Sequence, residues 1–334
     1  MTLSILIVNW RSRDYLRACL DSIRATCAGL EPQIIVVDGG SFDGCGEMIG
    51  AEFPNVTFIQ CPENVGFGRA NNIGFEPVTG EAVLFLNPDT EIKKGAVADL
   101  LDTLEQLPEA GMIGPRLIDA SGRLQTNCVQ ALPTPLNQAL DSEFMRRVLP
   151  DLSIWGTSLA FSSRTAVEVE AISGACILMR SAIFRKVGGF SPEYFMYGED
   201  MDLCAKVRAC GWKIVHVPFA EVMHHGGGSS AGSVDDLSSI VMRESVFRFI
   251  RKHQGRFAAF RYRVFIAISA VIRIGVLAAA STLPAVLRRG SSRRSLQKWV
   301  GILRWSVTAG GGSRDLKLHH GRDINAICVA SPVK

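Results

Sequence analysis

The sequence predicts an α/β fold in which helices flank a mixed, mostly parallel sheet. Short runs of apolar residues recur through the first third of the chain, and helical patterns separate them. Apolar runs without polar alternation are typical of strands buried on both faces, and strands that alternate with helices form parallel sheets. With 334 residues, the chain is long enough for one large domain and an appendage.

Four strands and two helices are predicted in the first part of the chain. Leu16, Leu20 and Ile23 recur at helical spacing, which predicts a helix over Ser12–Cys27, and a similar pattern predicts a helix over Ala96–Leu107. The predicted strands are Leu3–Val8, Gln33–Asp38, Val56–Gln60 and Ala82–Asn87. Because ligands of such sheets bind beyond the carboxyl ends of the strands, we expect a site where these strands end.

A proline-rich stretch precedes a second structured block. Residues 126–165 contain Pro133, Pro135 and Pro150 and few periodic runs, which predicts a loop with short helices. The elements predicted beyond it are a strand over Ile172–Arg180, a helix over Ser181–Val187 stopped by Gly188–Gly189, a helix over Asp200–Cys210, a strand over Gly211–Pro218 ended by its proline, and a long helix over Asp236–His253 with Gly255 at its end.

Charge is distributed very unevenly along the chain. Up to residue 242 there are 18 lysines and arginines against 29 acidic residues, a net charge of −11, whereas the rest has 18 against 3, a net charge of +15. An acidic body with a basic tail favours an anionic surface as partner. The first residues predict a strand and not a secretion signal, and the nine cysteines, without a CxxC pair, fit reduced thiols in a cytoplasm.

The most apolar stretch of the tail, Val264–Leu287, contains a single charged residue, Arg273, and has arginines on both sides. About 20 apolar residues span a bilayer, but a charge near the middle costs at least ~2.5 kcal/mol on insertion, and Pro284 interrupts the run. We therefore expect contact with a membrane through helices that lie in its surface. The alternative is a core helix in which Arg273 is paired internally.

Four stretches place polar residues where a buried sheet does not need them. In VVDGGSFDG, Asp38 ends a strand before two glycines that let a ligand approach the backbone, although a simple turn uses the same residues. In ENVGFGRANNIG, Gly66 and Arg69 are suited to face a diphosphate, with an exposed arginine at a helix start as the alternative. This stretch lacks the third glycine of a dinucleotide-binding fingerprint.

The other two stretches carry several carboxylates. In LNPDT a proline fixes the turn that presents Asp89, whose carboxylate suits a divalent ion that bridges phosphates; an ordinary Asx-Pro turn is the alternative. In YGEDMD, Glu199, Asp200 and Asp202 crowd the start of a helix, where the helix dipole also favours acidic residues. Close carboxylates raise one another's pKa, which suits a general base. His224, before a run of glycines, either completes a metal site with Asp89 or is a turn residue.

In this order and spacing, the four stretches resemble family 2 glycosyltransferases of the GT-A fold, and especially the bacterial branch that includes rhamnosyltransferases of surface-polysaccharide assembly. The resemblance covers Leu3–Ser230, and its most specific part is Ile172–Lys213. It implies a GT-A (Rossmann-like) domain over 1–245, in which 1–115 form the nucleotide-sugar half and 116–245 the acceptor and catalytic half. The rest, 246–334, is then a basic, apolar helical region for membrane association.

The resemblance also implies roles for single residues. Asp200 is then the catalytic base, and Asp89, at the last position of a DxD-like motif, binds Mg²⁺ or Mn²⁺. His224 is then a second protein ligand to the metal or to the diphosphate. Asp38 contacts the base or ribose of the nucleotide. The implied substrate-binding residues are Asp38, Gly66, Arg69, Asn87, Glu199 and Trp212. Two departures matter: Gly39 stands where many relatives have Asp or Asn, and Asn87 replaces the first carboxylate of a full DxD.

The implied function is inverting transfer of a sugar, with rhamnose suggested by the branch, from a nucleoside-diphosphate sugar to a lipid-linked or polysaccharide acceptor in cell-envelope glycan assembly. The expected location is cytoplasmic, peripheral or monotopic on the cytoplasmic face of the inner membrane, with no nucleic-acid partner. The alternative is a membrane-attached nucleotide-sugar-binding protein without turnover, since fold does not fix function. A nucleotidylyltransferase is disfavoured because NWRSRD, after the first strand, lacks a glycine-rich phosphate loop, and a dehydrogenase because the third glycine is missing.

Overall fold

The structure is a computed structural model that describes residues 1–141, 148–149, 152–156, 158–226, 235–281 and 292–308. Its strands are β1 (Leu3–Asn9), β2 (Gln33–Asp38), β3 (Thr57–Gln60), β4 (Ala82–Leu86), β5 (Thr90–Ile92), β6 (Ala110–Ile118), β7 (Val129–Gln130), β8 (Val167–Val169), β9 (Ala171–Ile172), β10 (Cys176–Arg180) and β11 (Lys213–His224). Its α-helices are α1 (Arg13–Thr26), α2 (Cys45–Glu52), α3 (Phe67–Phe75), α4 (Ala96–Gln106), α5 (Pro135–Leu140), α6 (Ser158–Ser162), α7 (Ser181–Lys186), α8 (Glu199–Ala209), α9 (Asp235–Ser281) and α10 (Ser292–Val307).

A mixed sheet of nine strands organises the described residues of the first part of the chain. Its order is β3-β2-β1-β4-β10-β6-β11-β5, with β8 also paired to β11. Strands β3, β2, β1 and β4 are parallel to one another, as are β6 and β11, whereas β10, β5 and β8 run antiparallel to their neighbours. Every residue of β1 and β4 is buried, because helices cover both faces. The predicted fold is confirmed.

The chain changes direction across the sheet at β1. From β1 it proceeds outward through β2 to β3, and it then returns to place β4 on the other side of β1. Open α/β sheets bind ligands at such a switch point, beyond the carboxyl ends of the strands. The loops that follow β1, β2 and β4 are therefore the places to look for a site.

Two predicted strands have different bounds in the structure. The strand predicted to end at Pro218 continues to His224, because a register shift against β6 between Val217 and Glu221 accommodates the proline. That prediction was wrong, and the longer strand is what brings His224 to the sheet edge. The strand predicted to begin at Ile172 is interrupted by a turn and resumes at Cys176.

Strand β6 lies inside the sheet, yet the sequence pattern did not predict it. Its glycines and proline hide the apolar run. The glycines are needed for packing: a Cβ at Gly111 would lie 2.8 Å from Cβ of Trp212, and one at Gly114 would lie 2.8 Å from Cδ1 of Ile172. Glycine is required at these positions because neighbouring side chains approach the strand closely. The strand therefore lacks the continuous run of large apolar residues on which its prediction depends.

The described residues form two compact units. The first comprises 1–132 and the described part of 151–226, and it contains the sheet. The second comprises the described parts of 133–150 and 232–322, with α5, α9 and α10. Helix α9 is broken at Gly255, which has a φ of 88° and a ψ of 174°, so that 235–254 and 256–281 are separate helical segments. The break falls where the sequence predicted the end of a helix.

Within the second unit, two arginines of α9, Arg263 and Arg273, contact other residues of the unit. The Arg273 guanidinium lies 4.3 Å from the centre of the Trp299 ring and donates a hydrogen bond to the Asp141 carbonyl at 3.0 Å. Arg263 donates to the Trp305 carbonyl at 2.6 Å. In the described residues, Ser239–Ala279 is long and apolar enough to cross a membrane, with a mean hydropathy of 1.8 over its most apolar window, of which 17% is buried. The predicted Pro284 interruption lies outside the described residues.

Candidate active site

Polar residues at the carboxyl ends of three parallel strands meet at one edge of the sheet. Asn9, at the end of β1, pairs in register with Asp38, at the end of β2. On the other side of β1, Ile7 pairs with Leu86, so the turn Asn87–Asp89 leaves the same edge. The structure therefore gathers Asp38 and Asp89 along one sheet edge, as the alternation of strands and helices predicted.

The Asp38 carboxylate is fully buried and holds the loop that follows β2. It accepts hydrogen bonds from Nδ2 of Asn9 at 2.9 Å, from Nε2 of Gln60 at 2.6 Å, from the Ser41 hydroxyl at 2.5 Å, and from the backbone N–H groups of Ser41 and Phe42 at 2.8 and 3.1 Å. Both oxygens are thus occupied by protein donors. Its contact with the base or ribose stays a prediction, and its observed part is to shape the loop.

Asp89 and His224 lie side by side, although they are far apart in sequence. The turn after β4 carries Asp89, and β11 pairs antiparallel with β5 so that His224 lies opposite Thr90. The backbone N–H of His225 donates to the Asp89 carbonyl at 2.9 Å. Nε2 of His224 is consequently 3.4 Å from Oδ1 of Asp89, and both side chains are largely buried.

Gln125 fixes which ring nitrogen of His224 carries the proton. Its Nε2 donates to the His224 carbonyl at 2.6 Å, so its Oε1 must be the atom that faces Nδ1 at 2.8 Å. Since Oε1 only accepts, Nδ1 is the protonated nitrogen of the neutral ring, and the Nε2 lone pair faces the Asp89 carboxylate. Nε2 of His224 and Oδ1 of Asp89 are both electron-rich, so a divalent cation fits between or beside them. The hydrogen bond from Nδ1 of His224 to Gln125 is of the kind that metal-ligating histidines make with their other ring nitrogen.

A second acidic group follows β2 but fits a metal less well. Ligand atoms of Asp38, Asp43 and Cys45 lie within 4.8 Å of one another. The Asn9 amide points its Nδ2 donor at all three residues, at 2.9, 3.2 and 3.3 Å, so a donor occupies the centre where a cation would sit. Burial also raises the pKa of the Cys45 thiol, which keeps it protonated. The group is thus a hydrogen-bonded support of the loop.

Asp200 lies in the first turn of α8, after Gly198, whose φ is 85°. Its carboxylate accepts the Gly174 N–H at 3.0 Å and the Met201 N–H at 2.8 Å. A Cβ at residue 174 would lie 3.2 Å from Cβ of Asp200, so a glycine there allows this close approach. Burial raises the pKa of Asp200 despite these hydrogen bonds. A half-buried carboxyl group with a raised pKa is suited to accept a proton.

The two other acidic residues of this turn differ from Asp200. Glu199 is buried, and its Oε2 has no hydrogen-bond partner among the described residues. Burial, and then the charge of Asp200, raise the pKa of Glu199. Asp202 is also buried, but it accepts hydrogen bonds from the hydroxyls of Ser191 at 2.5 Å and Tyr194 at 3.4 Å. A protonated Glu199 leaves Asp200 as the charged member of the neighbouring pair.

Two hydrogen bonds connect the turn of Asp89 with Asp200. The Asn87 N–H donates to the Ala175 carbonyl at 2.9 Å, and the preceding residue, Gly174, donates to the Asp200 carboxylate. Strand β10, which follows Ala175, pairs with β4. The acidic turn after β4 and the acidic start of α8 therefore belong to the same edge of the sheet.

The remaining predicted site residues fall into two groups. Gly66, with a φ of 84°, lets the start of α3 approach the loop before α8, because a Cβ there would lie 2.4 Å from the Phe195 carbonyl oxygen. Arg69 donates from Nε to the Pro192 carbonyl at 3.1 Å, in the same loop. Trp212 immediately precedes β11, whereas His224 ends it. The structure therefore does not bring Trp212 together with the other candidates.

Gln125 and Gly174 were not among the predicted site residues. Gln125 lies in a stretch without a periodic pattern, and its contact with His224 arises from the long-range pairing of β11. Gly174 stands within the stretch that carried the resemblance, but its backbone donor to Asp200 becomes apparent only after folding. Neither role has a local sequence signal.

The mixed α/β sheet, with the Asp89–His224 pair and the acidic start of α8 at one edge, fits the glycosyltransferase class, and the comparison with family models establishes that class. Residues 4–187 match the family model described as glycosyl transferase family 2, and the chain belongs to that family. Residues 158–226 also match a model described as the N-terminal domain of galactosyltransferase.

Relatives and solved structures agree with this assignment. The N-acetylglucosaminyl-diphospho-decaprenol L-rhamnosyltransferase of Mycobacterium tuberculosis is 32% identical over 213 residues, which are 59% of this chain and 67% of that protein. Rhamnosyltransferase WbbL of Escherichia coli K12 is 25% identical over 231 residues, 66% of this chain and 82% of that protein. The mannosyltransferase PcManGT of Pyrobaculum calidifontis, solved with GDP-Man and Mn²⁺, has a TM-score of 0.57 at 15% identity and covers 92% of this chain and 88% of its own, which shows a shared fold.

Proposed function

We propose that this glycosyltransferase moves a sugar, with inversion, from a nucleoside-diphosphate sugar to a lipid-linked or polysaccharide acceptor in cell-envelope glycan assembly. The proposal rests mainly on the facing of Asp89 and His224 at the sheet edge that Asp200 shares. Two relatives are named as rhamnosyltransferases, and the name of one includes a decaprenol-linked N-acetylglucosamine. Rhamnose and a polyprenyl-diphosphate glycan are therefore the first donor sugar and acceptor to test.

Asp89 and His224 are proposed to hold Mg²⁺ or Mn²⁺. Such an ion, when bound, would stabilise the negative charge that develops on the leaving nucleoside diphosphate. The Gln125 hydrogen bond keeps the His224 lone pair directed at the site, and Asn87 supplies a neutral side chain where a second carboxylate is common. Asp38, Gly66, Arg69 and Glu199 stay proposed substrate-binding residues, of which Asp38 and Gly66 also shape the loops, whereas Trp212, at the opposite end of β11 from His224, is not proposed for this site.

Asp200 is proposed as the base that takes the proton from the attacking acceptor hydroxyl. Its raised pKa keeps it basic enough to bind that proton, and the N–H groups of Gly174 and Met201 hold its oxygens in place. As the O–H bond breaks, the oxygen attacks the anomeric carbon and the bond to the diphosphate opens on the opposite face. One displacement of this kind inverts the configuration.

Asp200→Asn tests the role of the base. We expect turnover to fall by about 10²-fold or more, the usual contribution of a general base, with donor affinity retained because the amide fills the same space. Transfer from dTDP-, UDP- and GDP-sugars to polyprenyl-diphosphate-linked N-acetylglucosamine measures turnover, and calorimetry measures donor binding. Asp21→Asn, at a partly exposed position on the outer face of α1, is the matched control. Wild-type turnover in Asp200→Asn would exclude this base, and donor binding without product in the wild type would favour the alternative without turnover.

We propose a peripheral or monotopic location on the cytoplasmic face of the inner membrane, and the second helical segment of α9 supports the contact with a membrane. One face of this segment is apolar and exposed, with Phe257, Phe260, Val264, Ile268, Val271, Ile272 and Val276. We call these residues the apolar stripe. The opposite face, with Tyr262, Ile266 and Ala270, is buried, and Arg273 is turned toward Trp299. A helix that buries one apolar face and exposes another is suited to lie in a bilayer surface.

The functional division of the chain is proposed along the lines of the sequence. Residues 1–245 are proposed as the catalytic domain, with the nucleotide-sugar half at 1–115 and the acceptor half at 116–245. Residues 246–334 are proposed as the membrane-association region. The net charge of the chain from residue 243 to the end is +15, which favours anionic lipid.

A further inference from the structure

Left-handed backbone conformations concentrate around the candidate site. In the described part of the chain, four non-glycine residues have a positive φ: Arg11 (54°), Glu31 (44°), Phe42 (51°) and Tyr197 (68°). Arg11 follows β1, Phe42 follows β2, and Tyr197 precedes the helix of Asp200. Residues with a side chain disfavour this conformation, and such strain persists where the surrounding structure imposes it, often at ligand sites.

Phe42 combines this strain with an exposed ring. The ring is 65% exposed, although the loop that carries it is tightly held. The Asp38 carboxylate binds the Ser41 and Phe42 N–H groups, and Gly40 packs so closely on residue 63 that a Cβ would lie 2.4 Å from the Glu63 carbonyl carbon. The buried carboxylate thus fixes a large apolar side chain outward in an unfavourable conformation. Packing within the part of the chain that the structure describes leaves this ring exposed and gives no reason for that arrangement.

The position of this loop relative to Asp89 gives a reason. The sheet order places β1 between β2 and β4. Neighbouring strands are about 4.8 Å apart, so the loop after β2 lies about 10 Å along the sheet edge from the turn after β4. A nucleoside diphosphate held by its phosphates at Asp89 reaches along the edge by a distance of this order. The loop that carries Phe42 therefore lies within reach of the base of such a nucleotide.

We propose that the nucleotide base of the donor stacks on the ring of Phe42, and that Asp38 sets this ring in advance by folding the loop. The inference rests on the proposed function and adds a residue to its donor site. Stacking on an aromatic ring is tolerant of base identity, because every base presents a π-face. Phe42 then contributes to the affinity for a nucleoside diphosphate and not to the choice among bases.

The test separates the base from the phosphates. Titration calorimetry of the full chain with Mn²⁺ compares UDP, dTDP and GDP with inorganic pyrophosphate, which has no base. For Phe42→Gly we expect at least about fivefold weaker binding of each nucleotide that the wild type binds, unchanged pyrophosphate binding, and a higher Tm because the strained residue has become glycine. Phe42→Asn, which tolerates the left-handed conformation but lacks the ring, should show the same loss.

Two further variants serve as controls. Glu31→Gly relieves a similar strain before β2 and should raise Tm without a change in nucleotide affinity. Phe42→Trp keeps a stacking surface and should retain nucleotide affinity. Wild-type nucleotide affinity in Phe42→Gly and Phe42→Asn would overturn the inference and leave the proposed function intact. Failure of the wild type to bind any of the three nucleotides with Mn²⁺ or Mg²⁺ would overturn both.

Discussion

At the scale of single residues, the candidate site depends on groups whose protonation is set by their neighbours. The Gln125 amide leaves the Nε2 lone pair of His224 facing Asp89. Burial raises the pKa values of Glu199 and Asp200, and the charge of Asp200 raises that of Glu199 further. A lone pair beside a carboxylate suits a cation, whereas a carboxyl group with a raised pKa suits proton transfer. The same sheet edge thus offers two kinds of chemistry.

Asp89→Asn should weaken metal-dependent binding of a nucleoside diphosphate. The amide keeps the size of the side chain but removes the charge that faces His224, so we expect at least about tenfold lower affinity with Mn²⁺ present. Calorimetric titration with and without Mn²⁺ measures the change. Asp43→Asn is the matched control, since it removes one charge from the second acidic group. A larger loss in Asp43→Asn than in Asp89→Asn would move the metal to the loop after β2.

Glu199→Gln should make the protein more stable at alkaline pH. Burial and the nearby Asp200 charge raise the pKa of Glu199 from 4.5 to about 8. Because the folded-state value is the higher one, the stability that protonated Glu199 contributes is complete below pH 4.5 and is lost as the pH rises through about 8. Glutamine resembles the protonated acid at every pH. The difference in Tm between variant and wild type should therefore grow from about pH 5 to pH 9.

Thermal unfolding across this pH range checks the prediction. Glu47→Gln, on the exposed surface of α2, is the control and should give a difference that does not depend on pH. A constant difference for Glu199→Gln as well would mean that Glu199 is ionised in the folded protein throughout. Asp200 would then not be the only charged member of the pair at neutral pH.

At the scale of elements, the apolar stripe is the feature that packing within the described residues leaves unexplained. Its seven side chains lie at helical spacing between Phe257 and Val276, with Val271 and Ile272 adjacent, and they stay exposed, with Phe257 at 74% and Val276 at 63%. Arg251, Lys252, Arg256 and Arg261 are exposed on the same helix. Contiguous exposed apolar surface of this extent marks an interaction site, and adjacent cations favour anionic lipid headgroups.

Replacing Phe260 and Ile272 together by serine should weaken binding to vesicles that contain anionic lipid. Each large apolar side chain that is buried in the membrane interface contributes about 1.5 kcal/mol or more to the binding free energy. We therefore expect at least about a tenfold loss of affinity in vesicle co-sedimentation. Phe219→Ser removes an exposed aromatic ring from β11 and is the control. If the double variant bound vesicles like the wild type but no longer self-associated, the stripe would instead bind a second copy of the chain.

At the scale of the whole molecule, the strands and helices with regular patterns were predicted from the sequence. The bounds of β2 agree to the residue, and those of α1, α4, α7 and α8 agree to within a residue or two. Strand β6 was missed because its glycines make room for neighbouring side chains, and β11 was ended too early at a proline that a register shift accommodates. Both errors come from tertiary packing, which local patterns do not record.

The candidate site was predictable in part for the same reason. Asp38 and Asp89 follow apolar strands, so the sequence placed them at one edge of a sheet. For His224 the sequence left a metal site with Asp89 and a turn residue as alternatives, and the resemblance favoured the site, because the nearness of the two residues depends on the pairing of β11 with β5. Gln125 and the Gly174 amide had no sequence signal, because a supporting hydrogen bond depends only on where the partner folds. Hydrogen bonds that support a site residue in this way become visible only in the folded structure.

The hydrogen bonds of Gln125 to His224 would affect how fast, as well as how tightly, the proposed ion binds. One amide binds both the carbonyl and the ring of the same residue, so the imidazole has already lost its rotational freedom in the folded chain. A divalent ion that binds there would meet a ring already held in place, and its association would require the loss of water but no rearrangement of this side chain. The entropy of the ring is lost when the chain folds and not when an ion binds. Exchange of one divalent ion for another should therefore proceed without a conformational step.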